Sequence, residues 1–159
     1  MKMGIAGWLL VVSSVIAAPL AQAETDSSVK EGVKALLLKH DKALKEHDIK
    51  GVLDSYVSGS DAVLMGTGSG ELWVGQEQIK EAYEHIFADF DSGALETHCS
   101  WRSAGGNDQM AWLVAMCRAT DYLKNIKREY AINISTAVEK QGSEWRFRTF
   151  HISNLTGGE

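Results

Sequence analysis

The chain has 159 residues, 21 acidic against 16 basic, and a formal charge of −5 with histidines neutral. No run of Lys or Arg breaks that acidity, which excludes the clustered cations that nucleic-acid binding requires. The length suits one domain with a full-sized core.

The first residues read as a targeting segment. Lys2 gives a positive start, Ile5 to Ala18 is apolar, and Ala21-Gln22-Ala23 has the small-x-small form of a cleavage site. The apolar run falls short of the ~20 residues of a membrane span. The expectation is a signal peptide over 1–23, cut before Glu24, and a periplasmic or secreted domain over 24–159. No second apolar segment could span a membrane.

Val29 to His47 reads as a helix, with Val33, Leu36, Leu37, His40, Leu44 and His47 on one face. "HDIKGVLDSYV" predicts a short second helix capped by Asp48, with Val52, Leu53 and Tyr56 turned inward. "DAVLMGTGSGELWVG" predicts a hairpin around a glycine-rich turn, and lacks the Gly-Lys-Ser/Thr ending of a phosphate loop. "QEQIKEAYEHIFADF" predicts a third helix with Ile79, Tyr83, Ile86, Phe87 and Phe90 on its apolar stripe.

Strands are predicted over 95–104, 109–120, 128–139 and 144–154. A turn centred on Asp108 places Cys99 opposite Cys117. A cross-strand disulfide is then possible after export, the other reading being two buried thiols. The two cysteines lack the paired spacing of a zinc site, and no metal or cofactor is expected. A two-residue Gln141-Gly142 loop would close the last hairpin. Simple alternation then gives "WRFRTFHISN" one face of Trp145, Phe147, Thr149, His151 and Ser153, with His151 opposite Ile132. The other face would carry Arg146, Arg148, Phe150, Ile152 and Asn154. Helices segregated from a long meander indicate an α+β domain.

His151 shares a predicted face with Trp145 and Phe147, so it is a core histidine, a pocket wall or an acid–base group. His40, central on the first helical stripe, carries the same alternatives. Tyr56, Trp73, Tyr83, Trp101, Tyr130, Trp145 and Phe147 supply candidate pocket walls, or ordinary core. Arg118 and Arg128 could meet an acidic ligand or sit at solvated strand ends.

Four stretches, "HDKALKEHDIKGVLDSYV", "DAVLMGTGSGELWVG", "GQEQIKEAYEHIF" and "WRFRTFHIS", occur in an order and spacing that resembles the SnoaL-like, polyketide-cyclase-type branch of the nuclear transport factor 2-like superfamily. The resemblance covers essentially residues 24–159. It implies a cone: a curved antiparallel sheet wrapped around about three helices, with a pocket open at one end. It also implies a homodimer through the outer sheet faces, for which Phe150 and Ile152 are the expected contacts. Function is not fixed by this fold. The first expectation is a domain that binds a small apolar or amphipathic molecule. The alternatives are an isomerase-, dehydratase- or cyclase-type enzyme using His151 and His40, or a protein-interaction module. Enzymes of the fold place a carboxylate in the pocket. Here no inward carboxylate is expected, since Asp61 begins a strand and Asp54 lies on the short helix.

Overall fold

The structure, a computed structural model, describes residues 18–154, apart from the side chains of residues 18–26 and of Trp101. Most of the expected signal segment therefore lies outside the described residues. Helix α1 spans Ala18–Lys45 and buries Val33, Leu36, Leu37 and His40 of the predicted stripe together with Val29 and Ala43, while Leu44 is half-buried and His47 lies beyond the helix end. Its end is written in the next three residues. His47 takes a left-handed backbone, φ 56°, while its N–H bonds Leu44 O and the Asp48 N–H bonds Ala43 O. That pair of bonds is a Schellman cap. Asp48 then caps α2, Ile49–Leu53, its carboxylate accepting from Gly51 N at 3.0 Å.

Strands β1, Val63–Met65, and β2, Leu72–Val74, form the predicted hairpin. Helix α3, Gly75–Ala88, follows directly, and Gly75 at φ 80° makes the turn into it while its N–H bonds Ala62 O. The meander consists of β3, Glu96–Gly106; β4, Met110–Leu123; β5, Ile126–Gln141; and β6, Glu144–Asn154. The sheet order is β2-β1-β6-β5-β4-β3. All pairings are antiparallel except β1 with β6, so the sheet is mixed rather than purely antiparallel. The helices cover one face, where Leu113, Ala115 and Cys117 of β4 and Ile134, Thr136 and Val138 of β5 are buried. Among the described residues, no helix is long and apolar enough to cross a membrane.

Two details of register decide which residues face the core. Cys99 pairs with Cys117 as expected, but by another route: the turn is centred between Asp108 and Gln109, with Gly106 opposite Ala111, and a bulge at Ser100 restores the pairing; a disulfide joins the two with Cα atoms 3.9 Å apart. The last hairpin departs from expectation. Its loop is Gly142-Ser143, so Lys140 pairs with Trp145. Further along, Val138 pairs with Phe147 but Ala137 pairs with Thr149, which leaves Arg148 as a bulge. The extra residue reverses the alternation for the rest of β6. Phe147 and Phe150 are both buried, against a simple two-residue repeat. His151 consequently pairs with Ser135 instead of Ile132 and lies on the outer face. Phe150 and Ile152 point inward and cannot be the outer contacts of a dimer. The bulge sits where β6 changes neighbours: Phe147 exchanges bonds with Ser55 and Val57, while Thr149 to His151 pair with β1.

Candidate ligand cavity

A cavity of about 510 Å³ opens at one end of the cone, inside the range typical of small-molecule sites. Its walls come from every layer: Leu44 of α1, Leu64 of β1, Trp73 of β2, Ile86 of α3, and Ile132 and Ile152 of the sheet. Phe90, Leu95 and Ala119 complete the apolar lining. Trp73 and Tyr130, two of the expected pocket residues, are in it.

One polar cluster stands out against this lining. Asp121 is 1% exposed, on the inner side of β4 in phase with Cys117 and Ala119. A buried carboxylate is costly unless paired and hydrogen-bonded. Arg128, directly across on β5, donates from Nε to Asp121 Oδ1 at 2.7 Å and from Nη2 to Oδ2 at 2.9 Å. The Tyr130 hydroxyl donates to Oδ2 at 2.9 Å. Burial, then the bond to Asp121, pushes the Tyr130 phenol up to about 12, so it stays protonated and donating. Arg128 also donates to the backbone carbonyl of Asp89.

The turn that carries this cluster is tied down. Asp91 donates its N–H to Tyr122 O at 2.7 Å and accepts from Lys124 N and Asn125 N, both at 3.3 Å. Lys124 and Asn125 both have positive φ, so the carboxylate steadies a left-handed turn built without glycine.

The expected inward carboxylate gap is thus corrected: Asp121 faces the cavity. The alternation of "MCRATDY" was the signal, because Cys117, Ala119 and Asp121 share one side. Ending the strand at residue 120 hid it. Arg128 belongs to the site, whereas Arg118 lies exposed on the other side of β4.

The histidines and most of the expected aromatics lie elsewhere. His40 is 1% exposed and its Nε2 sits 2.8 Å from Tyr83 Oη, which in turn is 2.7 Å from Tyr56 Oη. Burial raises both phenols above their usual range. Phe147 and Phe150 pack against the His40 ring at 5.3 and 4.9 Å. None of His40, Tyr56, Tyr83 or Phe147 lines the cavity. Trp145 packs against Gly32 of α1, with the Lys140 ammonium over its ring. The Trp101 side chain is outside the described residues. His151 lines a shallow groove on the outer face, its Nδ1 3.3 Å from Ser135 Oγ. Its partners there are Trp112, Met65 and small residues of β5, so the pocket role read from the sequence does not fit its position. Among the described residues, no group of three His, Cys, Asp or Glu side chains could hold a metal ion.

The sequence model of the SnoaL-like domain family matches residues 33–156. No curated protein sequence matches. Solved structures share the fold at low identity. A protein from Streptomyces avermitilis, provisionally a dehydratase of the NTF2-like family, superposes with a TM-score of 0.74 at 9% identity, over 82% of this chain and 99% of that one. A ketosteroid isomerase-like protein from Erwinia carotovora atroseptica gives 0.65 at 18% identity, over 80% and 96%. A provisional calcium/calmodulin-dependent protein kinase II association domain from Xanthomonas campestris gives 0.68 at 23%, over 79% and 87%. These likenesses establish the fold, and their descriptions span chemistry and assembly.

Proposed function

The chain belongs to the SnoaL-like domain family, and from that premise we propose that it is an exported domain that binds a small apolar or amphipathic molecule in its cone. The cavity carries this reading: about 510 Å³ of mainly apolar wall with a single fixed polar cluster at its side. Ligand sites have this composition, an apolar body for affinity and a few placed polar groups for orientation. Export is supported by Lys2, the apolar run Ile5–Ala18 and Ala21-Gln22-Ala23. The Cys99–Cys117 disulfide suits the same oxidising compartment.

Binding fits the site better than histidine acid–base chemistry. A general base must reach the proton it takes. His40 is sealed behind aromatic rings, and His151 is across the sheet. Asp121 does reach the cavity, but both of its oxygens already accept bonds from Arg128 or Tyr130. An ion pair of that geometry holds the carboxylate as a fixed charge. The dehydratase and isomerase descriptions remain those of the neighbours.

The direct test is titration of the purified chain with Nile red, an uncharged dye that brightens in apolar surroundings. Saturable binding at one site per chain is expected. Replacing Ala119, a cavity wall, with Trp should abolish it while the melting curve stays cooperative. Dye uptake that never saturates, or that survives Ala119→Trp, refutes the reading.

A second reading, a protein-contact surface, is favoured by the outer face. Met65, Leu72, Val74, Trp112 and Met116 lie there exposed, Trp112 at 46%. Contiguous exposed apolar side chains mark contact surfaces. We propose a second copy of this chain as the occupant, seated on these residues instead of Phe150 and Ile152.

A further inference from the structure

The charge of the cavity lining is lopsided, with Glu71, Asp89 and Asp121 against Arg128, and this constrains what it holds. Arg128 is the single cation in the lining. Its Nε and Nη2 are spent on Asp121 and on the Asp89 carbonyl. Only Nη1 is uncommitted among the described residues. Thr67, Thr97 and Asn154 also line the cavity and bring neutral groups that both donate and accept, so the imbalance is one of charge. Tyr130 donates its one proton to Asp121, leaving the lone pairs of its oxygen. Two further carboxylates, Glu71 and Asp89, lie on the rim. Glu71 uses Oε2 to accept from Gly68 N at 2.7 Å, and its Oε1 is free of protein donors among the described residues. Asp89 offers Arg128 its backbone carbonyl and keeps its carboxylate. With Asp121 and Arg128 cancelling, the remaining charge of the lining is negative.

We infer that the cavity selects molecules whose polar end donates hydrogen bonds, an amine or an alcohol on an apolar body, and rejects carboxylates. The inference rests on the binding role proposed above and names the ligand class for the same site. A carboxylate entering here would meet Glu71 and Asp89 with no free cation beyond one guanidinium N–H₂ group, a repulsion strengthened by apolar walls. An ammonium or hydroxyl group would supply the donors that those oxygens lack. This reverses the acidic ligand that the arginines suggest in the sequence, because Arg128 is already neutralised.

The test uses three probes with one alkyl chain and different ends: decylamine, decanol and decanoate, each displacing bound Nile red at pH 7.5 and low salt. Decylamine and decanol should displace the dye at concentrations at least about tenfold below decanoate. Decanoate matching or beating both overturns the inference. So does dye that neither decanol nor decylamine displaces. Glu71→Gln retains an acceptor for Gly68 N while removing the charge, and should narrow the gap between amine and carboxylate; an unchanged gap overturns the assignment of Glu71. Failure of the parent reading looks different, since Nile red itself would then show no saturable site.

Discussion

Asp121 and Arg128 face each other across β4 and β5 and join through two hydrogen bonds, of 2.7 and 2.9 Å, at the wall of an otherwise apolar cavity. The pair is asymmetric. The carboxylate is sealed, while the guanidinium reaches partly into solvent. Removing the cation therefore leaves a buried charge with only the Tyr130 hydroxyl as partner.

Arg128→Met should destabilise the fold by about 2 kcal/mol or more, less than for a fully sealed pair because the guanidinium is partly hydrated. Adding Asp121→Leu to it should restore much of the loss, since no charge then remains to be buried. Urea unfolding of the single and double variants checks both values, and equal stability of the two would sink the account.

Tyr83→Phe separates architecture from ligand binding. It removes the hydroxyl that lies between His40 Nε2 and Tyr56 Oη, stranding two buried polar atoms. The expected cost is about 1–3 kcal/mol. Nile red affinity should stay within about twofold, because Tyr83 does not line the cavity. A large fall in affinity at intact stability would place the triad in the site.

His47 predicts a pH dependence. Its ring stacks on Phe87 at 4.6 Å and meets Phe90 edge-on, and its Nε2 is buried without a partner among the described residues. Burial lowers its pKa below the ordinary 6.5, against the opposing pull of Asp91. With the folded pKa below the unfolded one, the unfolded chain binds more protons in the interval between them. This contribution is whole above about pH 6.5 and is lost as pH falls through that interval. Asn tolerates the left-handed backbone at this position. His47→Asn should flatten the decline in melting temperature between pH 7 and 5, and a variant with the wild-type slope would rule His47 out.

The disulfide clips the edge strand β3 to β4. Reduction, or the double change Cys99→Ser with Cys117→Ser, should cost about 3 kcal/mol for a closed loop of this length. Alkylation under non-reducing, denaturing conditions should add no label. Two labels in protein prepared under oxidising conditions would show that the bridge does not form.

Trp112→Asp should convert a dimer to a monomer in light scattering without changing the melting curve at low concentration. Phe150→Asp, by contrast, should unfold the chain, because Phe150 is 1% exposed and touches the His40 ring. A Trp112→Asp chain of unchanged mass would reject the outer face as the interface.

Where one period dominates, the sequence was enough. Most of the α1 stripe and the Asp48 cap follow from spacing, whereas the Cys99–Cys117 pairing is met only because a bulge at Ser100 offsets a turn centred half a residue beyond Asp108. The site was harder, for two physical reasons. A bulge leaves no mark in composition: Phe147 and Phe150 are three apart, which alternation assigns to opposite faces. The left-handed Lys124-Asn125 turn contains no glycine, so β4 and β5 run further than turn residues suggest. Those extra residues carry Asp121, the main polar group of the cavity. Choosing Gln141-Gly142 over Gly142-Ser143 displaced His151 by two partners, and the Arg148 bulge by one more.

The bulge at Arg148 makes β6 behave like a vernier set between two scales. Its first half is in step with the segment after α2, its second half with β1, and one supernumerary residue absorbs the mismatch. Arg148 is held there by Glu139 and Asp61. Deleting that single residue would change no side chain downstream, yet it would offer Thr149, His151 and Ser153 to the interior and turn Phe150 and Ile152 out to water. The identities of residues 149–153 are therefore meaningful only together with the residue count before them. Gapless alignment of a relative lacking the bulge would compare its cavity wall with this protein's outer skin.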